Sequence, residues 1–475
     1  MYDKTIEAGI IMLLIYMPLA FGGVLDGSVF LMEITVGLMM LVWLAKMFSQ
    51  RRRVLLTPGT NAAHYRLRLI VPSFLLPLLA FCALVVFQMI PLPTALLRFV
   101  SPAAYHFYAD AASAIQVEVP HALTVSMSRH ATETGFHTLM AYTGVFFLIV
   151  NNLRSPRQIK RLMYTIAAVG VVEAFYGLLD YLSGGQQIFL HHHTHSFGLS
   201  GSFVNKNHFA GYLELAIPLL LSLLVFQLEE RRQMTAKKRF RFLSEKFMKV
   251  VLIGFLSALT IGALLLSGSR GGLLSFAAGM LFFTALAYSR RIIRKRAPLI
   301  LLVLLTAFVA AILLGHGSIS SRLQTLADLD SDFSFQLRRK IWNDTFSMFR
   351  ASPIFGTGLG SFPHIYPQSQ SFPSDLRIDH AENDYLQLLT ETGAIGAFLV
   401  LCILALFLHS TIRAWMQRQA RWAIIFTIGG LSGLSCLLLH SFIDFNLHLP
   451  SNAFSFTVIA ALSSVSAHSH RRTPK

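Results

Sequence analysis

Twelve runs of roughly 20 mostly apolar residues recur along this chain, at about 7–24, 28–47, 69–90, 135–153, 163–183, 208–228, 250–267, 272–289, 298–315, 393–410, 422–440 and 453–468. A helix of about 20 such residues crosses the hydrocarbon core of a bilayer. The pattern predicts an all-α polytopic membrane protein with about 12 transmembrane helices. Composition agrees: 54% of the 475 residues are hydrophobic and 13% are charged, where a soluble domain carries about 25% charge.

The net charge of +17 invites a nucleic-acid reading, and the positions of the charges exclude it. Lys and Arg in short loops favour the cytoplasm. With the N-terminus inside and the sides alternating, the inside segments hold 30 of the 40 Lys and Arg. They include Arg51, Arg52 and Arg53; Arg154, Arg157, Lys160 and Arg161; the basic stretch from Arg231 to Lys249; Arg290, Arg291 and Arg294; and Arg413, Arg418 and Arg421. The basic balance is topology, and both termini are expected in the cytoplasm. The first apolar run begins near Ile6 without a small-residue cleavage site, so it reads as a retained helix rather than a signal peptide. Cys82, Cys402 and Cys436 each fall inside an apolar run and read as packed thiols, with no disulfide framework.

On the outer side this leaves loops at about 91–134, 184–207 and 316–392, and short turns near Asp26, Arg270 and Asp444. The expected division is 1–315 for the first nine helices, 316–392 for a large loop between helices 9 and 10, and 393–475 for the last three helices with a short tail. The stretch 315–393 is the longest polar one, and any chemistry is expected there. The loop 91–134 has a helix-like patch from Pro102 to Ile115 and little nameable chemistry.

Within the large loop, Phe335, Arg338, Trp342, Phe346 and Phe349 recur at three to four residues and so share a helix face. Arginine inside that stripe is expected to point toward the bundle, with Arg339 and Lys340 to its side. Further on, Asn383 caps a short helix that carries Leu386 and Leu389 inward and stops at Gly393. His380 stands just ahead of it, where an imidazole can exchange a proton near neutral pH. Outside the loop, Ser269-Arg-Gly-Gly272 opens a span, and Arg270 either forks onto phosphate oxygens or snorkels to headgroups.

Other clusters carry less. His191-His-His-Thr-His195 has no acidic or cysteine partner close by and reads as a surface tract, not a metal site. Asp328, Asp330 and Asp332 lack the glycine and closing glutamate of a calcium loop. Glu173 and Glu214 lie within spans, where a carboxylate is either functional, paired with Arg270 or with each other, or simply packed.

Together these pieces resemble the O-antigen ligase and polymerase superfamily of bacterial inner membranes. The resemblance runs from Gly201-Ser-Phe-Val-Asn-Lys-Asn-His-Phe-Ala210 through Ser269-Arg-Gly-Gly272, Arg338…Trp342 and Gly356-Thr-Gly-Leu-Gly360. It continues to His380…Asn383-Asp-Tyr-Leu386…Glu391-Thr-Gly393 and His440-Ser-Phe-Ile-Asp-Phe445, and the first 200 residues carry no matching motif. It implies a GT-C-type glycosyltransferase with a periplasmic site, needing no nucleotide, metal or other cofactor. The donor would be a glycan on undecaprenyl pyrophosphate. The acceptor would be a sugar hydroxyl, on lipid A core for a ligase or on another lipid-linked glycan for a polymerase. By similarity His380 is the base, and Arg270 with Arg338 or its neighbour Arg339 binds the pyrophosphate. Asn205, Asn207, Trp342, Asn383, Tyr385, Glu173, Glu214 and Asp444 are the expected supports. A lipid-linked glycan transporter is the rival from another class, and the gathering of polar groups in an outer loop rather than at the midplane disfavours it.

Overall fold

In the core of a bilayer the backbone has no water to bond with, so a spanning segment must satisfy its own N–H and C=O groups as a helix. The computed structural model describes residues 2–56, 69–153, 155–183, 198–232, 236–292, 333–373 and 377–468, and these are all-helical apart from one short strand pair. In chain order the described helices are α1 (Tyr2–Leu19), α2 (Asp26–Leu56), α3 (Leu75–Met89), α4 (Thr94–Val100), α5 (Pro102–Ala114), α6 (Arg129–Asn152), α7 (Pro156–Leu182) and α8 (Lys206–Arg232). Then follow α9 (Ala236–Ser267), α10 (Arg270–Ser289), α11 (Phe333–Ala351), α12 (Phe362–Ser369), α13 (Asp384–Met416), α14 (Arg421–His440) and α15 (Pro450–His468). The strands β1 (Leu92–Pro93) and β2 (Ala122–Leu123) pair antiparallel between α3 and α6.

Among the described residues eight helices are long and apolar enough to cross a membrane: α2, α6, α7, α8, α9, α10, α13 and α14. Three expected spans fall short of that measure for local reasons. The helix α3 is apolar but has only 15 residues, α1 carries Asp3, Lys4 and Glu7, and α15 buries Ser451, Ser455, Ser463 and Ser466 against its neighbours. The ninth expected run, 298–315, lies outside the described residues, as do His191–His195 and Asp328, Asp330 and Asp332. Cys82, Cys402 and Cys436 are free thiols.

Hydropathy also misplaces helix starts, because polar first turns extend beyond the apolar run. The helix α7 begins at Pro156, not near 163, since Ser155 and Gln158 form a reciprocal capping box with proline at the first helical position. At the other end of the first run, α1 stops at Leu19 and a 3₁₀ turn follows over Phe21–Gly23.

The centre of the bundle is α8, buried along its whole apolar length, with α14 beside it. Gly429 and Gly433 face Ser222 and Leu215 of α8, and Gly430 faces Ser463 of α15, so these helices approach at backbone distance. The basic residues of one bundle end act as clamps between helices. Lys46 Nζ reaches Asp3 at 2.5 Å and Asn152 at 2.6 Å, and Arg161 pairs with the buried Glu7 at 2.7 Å.

At the opposite end, α4, α5, α11 and α12 build a cap with small cores of its own, one around Ile341, Met348, Phe362 and Tyr366. The inward face of α11 is therefore Ile341, Thr345 and Met348, not the expected aromatic stripe; Phe346 is 47% exposed and packs on Phe349. The cap core lies about one residue further round the helix than the stripe suggested.

The cap joins the bundle where α13 breaks. Gly393, at φ +66 and ψ −175, interrupts the helix just above its membrane segment. The run Gly356-Thr-Gly-Leu-Gly360 docks in that break: Thr357 N–H donates to Thr390 C=O at 3.0 Å and Gly358 N–H to Glu391 C=O at 2.9 Å. Ala394 N–H returns a bond to Pro353 C=O at 2.8 Å, and the amide of Gln88 donates to Phe355 C=O and Glu391 C=O. Thr390 C=O, Glu391 C=O and Ala394 N–H thus find partners from other segments at the break.

A Cβ at Gly393 would stand 2.2 Å from Ile354 O, in a backbone region open almost only to glycine. Gly393→Ala is expected to cost about 3 kcal/mol and lower the thermal midpoint. Gly37→Ala, where nothing lies within 4 Å, is expected to leave it unchanged. Thermal unfolding of the two variants in one detergent checks both.

Candidate active site

A buried carboxylate needs cations and donors around it, and Asp444 has them from three directions. It follows α14 in the turn before α15 and is fully buried. Asn207 and His208 come from the N-terminus of α8, where Asn205 accepts from the Asn207 N–H at 2.8 Å and so holds the first turn. Asn207 Nδ2 donates to Asp444 Oδ2 at 2.7 Å, and His208 Nε2 lies 3.3 Å from Oδ1. Arg338 descends from α11 and places Nη2 3.1 Å from Oδ2. Burial alone would raise the Asp444 carboxyl, but His208, Arg338 and His440 together hold it below its usual value.

The same guanidinium bonds Glu382, with Nε at 3.0 Å and Nη2 at 2.8 Å from one carboxylate oxygen. Glu382 is a non-glycine residue with φ +52, and its carbonyl accepts from Trp342 Nε1 at 3.3 Å. A strained residue held by two side chains of one helix marks an over-determined, functional turn. Burial and the nearby Asp444 push the Glu382 carboxyl up, against the pull of Arg338.

His380 stands two residues before that turn. Its ring stacks on Phe445 at 4.3 Å and 21°, with the His448 ring 5.1 Å away. Its Nδ1 lies 3.3 Å from Gln387 Oε1. His448 Nδ1 is 2.5 Å from Asp384 Oδ1. The two imidazoles are driven apart in basicity. Burial, and then the charge of His448, pulls His380 down to about 3 from 6.5, with Gln387 opposing. Burial also pulls on His448, but Asp384 and Glu391 outweigh it and hold that ring above its usual value. The proton of the pair resides on His448, and His380 stays a neutral acceptor.

Arg270 opens α10 at the same end of the bundle. Ser269 caps the helix by accepting from Gly272 N–H at 3.1 Å. A Cβ at Gly271 would meet His440 Nε2 at 3.0 Å and Ile443 at 2.6 Å, so only glycine lets the start of α10 press against the turn that ends in Asp444. Arg270 and Arg338 thereby flank that turn from two helices.

The remaining expected residues divide. Asn383 caps α13 through Leu386 N–H at 3.0 Å, and Tyr385 O–H donates to Leu438 C=O at 2.6 Å, tying α13 to α14. Glu214 sits 3.2 Å from His440 Nδ1. Glu173 accepts from Ser202 N–H and Oγ at 2.9 and 2.6 Å, pinning the chain that leads into α8. Arg339 faces out, beside the inward Arg338. The first turns of α13 turn Asp384, Gln387, Thr390 and Glu391 inward, in place of the expected Leu386 and Leu389. The inward face is polar because it meets backbone groups of the glycine run rather than side chains. Sequence reasoning missed Glu382, Asp384, Gln387, Glu391, His208 and His448. Asp384, Gln387 and Glu391 at spacings of three and four were a readable polar stripe, whereas His448 carried no local signal.

Residues 255–401 match a family model described as O-antigen ligase. The segment contains Arg270, Arg338, Glu382, His380 and Gln387 and ends before Asp444 and His448. No curated protein matches the chain.

Removing one partner of a buried ion pair costs about 3–5 kcal/mol, so Asp444→Asn is expected to lose stability on that scale. Glu382 is 25% exposed, and Glu382→Gln keeps an acceptor for Arg338; its expected cost is about 1 kcal/mol. Chemical unfolding of both variants tests the order.

Proposed function

We propose that the chain, whose residues 255–401 match a family model described as O-antigen ligase, is a ligase- or polymerase-type membrane glycosyltransferase that transfers a glycan from undecaprenyl pyrophosphate to a sugar hydroxyl, with lipid A core as acceptor. The observation that carries this reading is a half-buried His380, stacked on Phe445 and two residues before the Glu382 that Arg338 binds, at one end of the bundle. In the proposed step His380 Nε2 takes the proton of the acceptor hydroxyl as its oxygen attacks the anomeric carbon. The bond from that carbon to the diphosphate oxygen breaks, the electron pair leaves on undecaprenyl pyrophosphate, and the configuration inverts. Arg338 and Arg270 face the growing phosphate charge, with Asp444 and Glu382 holding Arg338 in place. Proton acceptor and phosphate cations are all side chains, so the proposed step draws on no nucleotide and no metal.

We place this site on the periplasmic face of the bacterial inner membrane. The support is the clustering of Lys46, Arg161 and Arg290 at the other end of the helices, the end that the positive-inside preference assigns to the cytoplasm.

The deciding experiment uses protein reconstituted in bilayers, a defined undecaprenyl-pyrophosphate oligosaccharide and EDTA. A single conjugate that needs lipid A core is the expected outcome. A ladder of longer lipid-linked chains without that acceptor would make the chain a polymerase, and no product in either case would overturn the enzyme reading. His380→Ala is expected to lower turnover by about 10²–10⁴-fold while donor stays bound, as a filter-binding assay would read.

The pH profile carries a signed expectation. A base must be unprotonated to act, and His380 is held at about 3 rather than 6.5. The ratio kcat/KM, which reports the free enzyme, is therefore expected to stay level as pH falls to about 5, without an acid limb at the ordinary histidine value.

A further inference from the structure

A histidine base works through one nitrogen, and the hydrogen bond at the other decides which nitrogen that is. Resting on the reading of His380 as base, we infer that Gln387 is the positioning residue that fixes His380 in its Nδ1–H tautomer, and that Glu391 locks Gln387 in the orientation this requires.

The argument is an exclusion at each atom. Gln387 Oε1 accepts from the backbone N–H of Ala381 at 3.0 Å, and a backbone N–H can only donate. That end of the amide is therefore the oxygen. The other end, Nε2, donates to Glu391 Oε1 at 3.1 Å. Glu391 also accepts from Gly360 N–H at 2.7 Å and Phe362 N–H at 3.2 Å, so its oxygens face donors on every side the structure gives them. An oxygen facing His380 Nδ1 at 3.3 Å requires that nitrogen to carry the hydrogen. The lone pair is left on Nε2. Stacking on Phe445 holds the ring plane, so the ring cannot turn Nδ1 away from Gln387 without breaking the stack.

The relay also explains why the glycine run docks where it does. Gly360 and Phe362 orient Glu391, Glu391 orients Gln387, and Gln387 orients the base. The same helix that enters the membrane thus carries the orienting groups, seven and eleven residues after His380 in sequence. The partner of the imidazole is a neutral amide and not a carboxylate. It selects the tautomer without adding a negative charge that would hold the abstracted proton on the ring.

The test reads the tautomer directly. Full-length protein labelled with ¹⁵N-histidine in bilayers gives the Nδ1 and Nε2 shifts of His380, identified by their loss in His380→Gln. Wild type is expected to show a protonated Nδ1 and a bare Nε2. Gln387→Met keeps the volume and removes the acceptor; it is expected to shift the ring toward the Nε2–H form and to lower kcat about 10- to 100-fold with donor KM unchanged. Gln387→Glu restores an acceptor at the same reach, shares a proton with Glu391, and is expected to recover the Nδ1–H form and most of the lost kcat. A Met variant that melts like wild type yet keeps Nδ1 protonated, or keeps kcat within about twofold, would overturn the inference. So would a Glu variant as impaired as the Met one, and that comparison stands alone if the Met variant does not fold. Full activity in His380→Gln would instead overturn the base reading, and the nitrogen shifts would still decide what Gln387 does.

Discussion

A backbone in lipid must bond to itself, and just above its membrane segment this chain departs from helical bonding at Gly393, where α13 breaks and another segment supplies partners. The departure is where the polar cap and the apolar bundle become one structure. Backbone groups of the glycine run complete the helix, and the side chain of Gln88 seals the seam from α3. Backbone bonds carry much of the docking, and Glu391 adds its carboxylate by accepting from Gly360 and Phe362. From that seam Glu391 bonds Gln387, Gln387 faces His380, and Asp384 holds His448.

The site is an exercise in distributing charge where little water reaches. Arg338 answers two carboxylates, Asp444 answers Arg338 and His208 with Asn207, and His448 answers Asp384. Such pairs add little to stability, since desolvation offsets most of their attraction. What they do is set protonation. With the proton kept on His448, the adjacent His380 remains neutral. The arrangement is what the proposed transfer asks for, a neutral proton acceptor beside fixed cations.

Much of this was legible in the residues alone. Most of the apolar helices, the cap at Asn383 and the interruption at Gly393 follow from local composition, because each is decided within a few residues. Arg338 and His380 stood out as polar groups in apolar or boundary contexts, and Asp444 entered through the resemblance. Less legible were the face of α11 and the inward side of α13. Both depend on what packs opposite: a small core around Ile341 and Phe362 in one case, backbone carbonyls and amides in the other. An aromatic stripe at helical spacing looks buried until the neighbouring core proves to lie on another face.

The sequence by itself determined an all-helical chain with helices apolar enough to cross a membrane and basic residues gathered in particular loops, because hydropathy and charge act locally and add along the chain. Tertiary structure alone decided which groups meet. Asn207, Arg338 and Asp444 come from three distant segments, and His380 meets Phe445 and His448 across more than 60 residues of sequence. The tautomer of His380, the two carboxylates on Arg338 and the division of basicity between two histidines are properties of distances. Distances between segments are set by packing, which no single stretch of residues encodes.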